Sequence, residues 1–222
     1  MGSLGRLSED IRLRLRNSFV KRCLRIAIDG YNFMREAQEY SLDWEEESLT
    51  ANLISHMKRS PEVERGKIDI IPESHLYSED IELGKVLPKE ASRIDIMMSS
   101  WTTPEKLVYY IEAKNLCQKD WQKPNGSKVN ASKYRVRYVD TGIENFIIER
   151  YPEGCLAGYV LQGEIEPIVK SINRLLEKNR ERSSEILENQ ETIHKHPYCY
   201  TSYHKTKSGK EMNLKHLFMK LN

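Results

Sequence analysis

Long apolar runs are missing from this chain: no window is hydrophobic enough to span a bilayer, and the arginines at 6, 12, 14 and 16 make the N-terminal stretch too charged for a secretory signal. A soluble, intracellular protein with no membrane partner is expected. Cysteine is sparse, with Cys23, Cys117, Cys155 and Cys199 far apart and no Cys-x-x-Cys pair, which argues against a zinc knuckle or redox dithiol. Reduced, buried thiols are expected instead. No glycine-rich phosphate cradle occurs, so a P-loop or dinucleotide enzyme is disfavoured.

Net charge is also small, +2 from 35 basic and 33 acidic residues, but the charges are segregated. Residues 6–25 are basic and 36–47 acidic. A second basic run holds Lys119, Lys123, Lys128, Lys133, Arg135 and Arg137 against the single acid Asp120, and the C-terminal stretch is basic again. Basic segments around an acidic centre suit a phosphate-backbone ligand, although ordinary solvated helix faces look similar. Lys119, Lys123, Lys128, Lys133 and Arg137 are the candidates for nucleic-acid contact. The 222 residues suffice for one α/β domain with a substantial core.

Apolar residues at steps of three or four predict a long helix over 7–40, with Gly30 bending or interrupting it. A second helix is expected from Asp43 as N-cap, with Glu46 as capping-box partner, running through Leu49, Leu53, Ile54 and Met57 and stopping before Pro61. Residues 67–72 read as a strand. Residues 73–90 read as a loop or edge strand, with Glu73 a further candidate acid at its start. Residues 115–130 read as a polar basic loop whose Trp121 either stacks on a base or plugs the core edge. A helix over 131–151, a buried strand over 154–163 and a helix over 164–189 follow. The end of the chain reads as a hairpin turning at 207–210. His204 and His216 would face each other across it, and with no third ligand apparent a structural role is expected.

Chemistry concentrates at Asp95 and at Glu112-Ala113-Lys114. Both lie in strand-like runs, and strand alternation puts Glu112 and Lys114 on one face. A hairpin turning near Thr103 and Pro104 would bring Asp95 roughly opposite Glu112. Two close carboxylates repel unless a cation lies between them. A divalent metal, Mg2+ by preference, is the obvious cation, and Lys114 would orient water and stabilise charge on phosphate. The plain alternative is a cross-strand salt bridge on a solvated sheet face.

Asp95 on one strand and Glu112-Ala113-Lys114 on the next resemble the signature of the PD-(D/E)xK nuclease superfamily, with Ile94 in place of the signature's proline, which many members lack. Arg137-Tyr138-Val139, Gly142-Ile143, Phe146, Tyr151 and Gly158-Tyr159-Val160 extend the resemblance, toward compact bacterial members, over residues 43–163. The resemblance implies a restriction-endonuclease-like α/β core of helix, three strands, helix and strand, forming a mixed central sheet flanked by helices. Residues 1–42 would then be an N-terminal helical extension and 164–222 a helix plus β-hairpin addition. It further implies Asp95 and Glu112 as metal ligands helped by the Ala113 carbonyl, Lys114 as catalytic lysine, and an acid from the preceding helix, Glu47 with Glu46 as fallback. The implied activity is Mg2+-dependent cleavage of DNA, with Mn2+ as substitute, in restriction or anti-phage defence. A homodimer or a partner subunit would suit that setting, and a non-cleaving binding module of the same fold is the alternative.

Overall fold

The computed structural model describes residues 8–75, 93–101, 105–178, 185–189 and 192–222. Helix α1 (Glu9–Ala37) is started by Ser8, whose hydroxyl accepts the Ile11 amide hydrogen, and by Glu9 and Asp10 at the positive end of the helix dipole. Gly30 does not interrupt it. A Cβ at Gly30 would stand 2.4 Å from Met57 Cγ, so the missing side chain is what lets helix α2 (Glu46–Met57) cross closely. The helical penalty of a glycine, about 1 kcal/mol, is offset by that close packing.

Helix α2 begins later than expected. Its N-cap is Glu45, which makes no side-chain capping bond, whereas the Asp43 carboxylate accepts the Asn125 amide hydrogen. Glu46 therefore opens the helix instead of closing a capping box. Helix α3 (Pro61–Gly66) follows, capped by Ser60 with proline in its first turn.

Strand β1 (Ile68–His75) outruns the predicted 67–72 and pairs antiparallel with β2 (Arg93–Ser100) from Ile68↔Ser100 to His75↔Arg93. It tolerates Pro72 because it is the sheet's edge. The connection over 76–92 lies outside the described residues, as do Thr103 and Pro104 in the expected turn between β2 and β3 (Leu107–Cys117). Where a polar loop was expected, β4 (Trp121–Gln122) and β5 (Lys128–Val129) form a short hairpin. The predicted helix over 131–151 is three pieces: α4 (Ala131–Arg137), a π-helical turn (Tyr138–Ile143) and α5 (Glu144–Ile147). Gly142 sits in the π turn directly on the sheet, since a Cβ there would stand 2.4 Å from Leu156 Cδ2.

Strand β6 (Gly154–Gln162) returns parallel to β3, buried along nearly its whole length as its apolar run predicts. Helix α6 (Ile165–Lys178) is shorter than expected, and Glu188–Asn189 is instead strand β7, paired with β8 (Cys199–Lys205). The hairpin of β8 and β9 (Glu211–Lys220) turns at Gly209, φ 86°, within the predicted interval. It is no appendage: β9 lies parallel to β6 and completes a seven-stranded mixed sheet ordered β1-β2-β3-β6-β9-β8-β7. Its buried residues explain this, because Leu214, Leu217, Phe218 and Met219 point to both faces and need cover on each.

The sheet has a helical layer on each face. Leu49, Leu53 and Met57 of α2 and Ile26 of α1 pack with Ile96, Ile111 and Ala157 on one face. Tyr138, Ile143, Phe146 and Ile172 pack with Ile94, Leu116 and Leu156 on the other. All four cysteines are buried and carry no disulfide. Among the described residues no helix is long and apolar enough to cross a membrane.

Candidate active site

The site is built where two strands part. Pairing of β2 with β3 runs from Ser100↔Leu107 to Ile96↔Ile111 and stops, while β3 continues to Cys117. Buried backbone amides must find acceptors once a neighbouring strand departs. Carboxylates supply them: Asp95 Oδ2 accepts from Ala113 N at 2.6 Å, and Glu46 Oε2 accepts from Asn115 N at 2.9 Å. The fork itself thus draws two acids to the edge of β3.

Glu112 and Lys114 share a face, as alternation requires, and their side chains are only 8% and 6% exposed. Lys114 Nζ donates to Glu112 Oε1 at 2.6 Å and to the Ala113 carbonyl at 2.7 Å, and reaches Glu46 Oε1 at 3.4 Å. Its three donors are all used. Arg137 Nη2 stands 3.7 Å from the same Glu46 oxygen, closing the cluster from the helical layer. Gly142 of the π turn is the roof: a Cβ on it would lie 3.8 Å from Lys114 Cγ.

Burial dominates the electrostatics. It raises the pKa of Glu112 to about 7, with Lys114 opposing and Asp95 adding to the rise. Burial likewise raises Asp95, against Lys114 and the Ala113 amide. Burial alone would lower Lys114, but Glu112, Glu46 and Asp95 outweigh it and the net shift is upward, so the ammonium persists. Glu112 Oε2 is buried with no hydrogen-bond partner among the described residues. Beside it lies Tyr151, whose pKa is raised by burial and then by Glu112 and Asp95. The Tyr151 hydroxyl already donates its hydrogen to the Arg93 carbonyl at 2.8 Å, so it offers Glu112 lone pairs only. Two acceptors facing each other in a buried place call for a proton or a cation between them.

The geometry brings together Asp95, Glu112, Ala113 and Lys114. It does not bring Glu47, which is exposed on α2 outside the cluster; the acid that α2 delivers is Glu46. The reason is the late start of the helix, which puts Glu46 on the sheet side and turns the next residue some 100° away. Glu73 is exposed, with φ 41°, and pairs with Arg93 at 3.7 Å; it touches the site only through its charge on Asp95. The exposed salt-bridge alternative does not describe Glu112 and Lys114, which are buried.

Of the candidate phosphate contacts, Lys119, Lys128, Lys133 and Arg137 are exposed. Lys123 is not: it is 3% exposed, and its ammonium binds Glu45 Oε1 at 2.8 Å and the carbonyls of Asp43 and Trp44 at 3.2 and 3.4 Å. It is withdrawn from the nucleic-acid set, because it pins the entry of α2 that no side-chain cap secures. Trp121 is partly buried against Cys117, Val129 and Ala131, the core-edge position. The place of Tyr151 beside Glu112 and Arg137's partnership with Glu46 carry no signal in the sequence, since both depend on which elements meet over the fork.

A divalent ion suits these donors. Glu112 Oε2 and the second Asp95 oxygen are hard ligands, and Ala113 O lies next to them with Lys114 now in the cation's role. Among the described residues no group of three or more His, Cys, Asp and Glu is arranged to hold a metal, so a bound ion would rest on two carboxylates, a carbonyl and water, a set typical of Mg2+. Compared with protein-family models, with curated proteins and with solved structures, the chain gives no significant match.

Proposed function

We propose that this chain is a metal-dependent nuclease of the restriction-endonuclease-like fold, hydrolysing phosphodiester bonds in DNA in a restriction or anti-phage setting. The observation that carries the reading is Glu112 Oε2, without a hydrogen-bond partner among the described residues and buried beside Asp95 and Lys114 at the strand fork. The order of elements around it supports the fold: a helix (α2), three strands (β1 to β3), helices α4 and α5, and the parallel strand β6.

In this reading Asp95, Glu112 and the Ala113 carbonyl hold Mg2+, or Mn2+ in its place. When bound, the ion would supply Lewis-acid stabilisation of charge building on the phosphate. Lys114 orients the attacking water and adds a second positive charge there, kept protonated by Glu46 and Glu112. Glu46 also anchors Asn115 and so holds the edge of β3 in place. Arg137 at the rim, with Lys119, Lys128 and Lys133 outside, would receive the phosphate backbone.

A non-cleaving DNA- or protein-binding module of the same fold is the second reading. It is favoured by Lys114 itself, whose ammonium already donates to Glu112 Oε1 and Ala113 O. Supercoiled plasmid with Mg2+ or Mn2+ separates the two. Nicking or linearisation that disappears with EDTA and falls at least about 100-fold in Lys114→Ala supports the enzyme. An inert wild type supports the binding module, and cutting indifferent to Lys114→Ala sinks the assigned site.

A further inference from the structure

The histidines of the C-terminal hairpin belong to a continuous buried chain. Tyr138 OH lies 2.8 Å from His216 Nδ1, His216 Nε2 lies 2.7 Å from Ser202 Oγ, Ser202 Oγ lies 2.5 Å from His204 Nε2, and His204 Nδ1 lies 3.1 Å from Glu185 Oε2. Ser202 and His216 are fully buried and His204 nearly so, while the Glu185 side chain is 13% exposed. A serine beside a histidine and a carboxylate resembles a hydrolytic triad, but an Oγ sealed from solvent meets no substrate.

The carboxylate at the outer end sets the direction. Glu185 stands at ion-pair distance from His204 Nδ1, and its charge draws the hydrogen of a neutral His204 to Nδ1, which leaves Nε2 to accept from Ser202. The Ser202 oxygen then accepts from His216 Nε2–H, and His216 Nδ1 accepts from Tyr138. Each group spends one hydrogen in the same sense, and burial helps keep His216 neutral by holding its pKa well below the usual range. The chain ends at the first residue of the π turn. Arg137 on one side of Tyr138 pairs with Glu46, and Gly142 further along roofs Lys114.

We propose that Tyr138, His216, Ser202 and His204 form a one-way hydrogen-bond chain, oriented from its outer end by the charge of Glu185, that positions the π turn over Lys114 and Arg137 beside Glu46, with His216 as its positioning residue. The hydroxyl of Tyr138 has no slack: its ring is stacked on Phe218 at 5.8 Å and its hydrogen is committed to His216, so the turn holds one register. The effect on cleavage rests on the nuclease reading; the direction of the chain does not.

The test uses the full chain with 15N-labelled histidine, followed by NMR near neutral pH. His216 is expected to be protonated on Nε2 alone and His204 on Nδ1 alone. Tyr138→Phe, which keeps the ring, is expected to release the His216 tautomer and to shift the Gly142 amide and Arg137 Nε signals. In the same variant kcat for plasmid cleavage should fall about tenfold or more with KM unchanged. The opposite tautomers, or Gly142 and Arg137 signals unmoved while His216 changes, would overturn the proposal. Glu185→Gln, altered at the outer end, gives the same readouts should Tyr138→Phe not fold. If the wild type cleaves nothing, the nuclease reading fails alone, and the tautomers and the Gly142 and Arg137 signals still decide the chain.

Discussion

The buried polar cluster at the β2/β3 fork and the one inside the C-terminal hairpin close their hydrogen bonds differently. Along the hairpin chain each hydrogen bond from Tyr138 to His204 has a donor for its acceptor, and His204 Nδ1 stands at ion-pair distance from Glu185. At the fork, Lys114 satisfies Glu112 Oε1 and Ala113 O, yet Glu112 Oε2 is left over. Leaving a buried acceptor unmade costs about 1 to 3 kcal/mol, so a network that closes on itself reads as structure and one left open reads as a place for a ligand. The same burial of polar groups therefore points to opposite roles.

The largest expected break in that contrast comes from Lys114→Ala. Without the ammonium, Glu112, Glu46 and Ala113 O lose their donor, and the metal-free protein should lose about 3 kcal/mol or more. Urea unfolding should show Mg2+ recovering part of that loss, through binding to the native state only. A loss insensitive to Mg2+ would place the fork in the same structural class as the hairpin chain.

Ser202→Ala is the matched control. It strands both imidazole Nε2 atoms, and urea unfolding should report a loss of about 1 to 3 kcal/mol that is the same with and without Mg2+. An Mg2+-dependent loss would mean that the two clusters are coupled more tightly than through Tyr138.

The smallest effect expected is a pH slope. The Glu112 pKa is raised from 4.5 to about 7 on folding, so the folded state binds this proton more tightly than the unfolded state. Its contribution to stability is fully present below 4.5 and is lost as pH rises through about 7. Thermal unfolding of metal-free protein across that window should show the decline, and Glu112→Gln should flatten it. An unchanged slope in the variant would assign the titration elsewhere.

Sequence legibility followed the range of the forces involved. Asp95, Glu112 and Lys114 are readable because alternation along a strand and pairing with the next strand are nearly local rules, and pairing up to Ile96↔Ile111 brings the acids, one residue further on each strand, to the same fork. Glu46 was readable only as a fallback to Glu47, because the first residue of α2 depends on contacts with the β4–β5 hairpin. Lys123 binds Glu45 across 78 positions and Asn125 binds Asp43 across 82. Lys123 reads as a solvated base in the sequence and is among the most buried charges in the fold. Residues 188–189 followed a helical period on paper, but two hydrogen-bonded partners on β8 made them a strand.

What the amino-acid order determined by itself was periodicity: where helices and strands form, which side chains share a face, and hence that a carboxylate pair and a lysine belong to one patch. Tertiary structure decided the rest. It chose Glu46 over Glu47, took Lys123 from the surface, inserted β9 beside β6 and aligned Tyr138 with His216. The physical reason is that propensity and alternation act over a few residues, whereas the need to satisfy buried amides and charges is met by whichever groups the packed layers bring near.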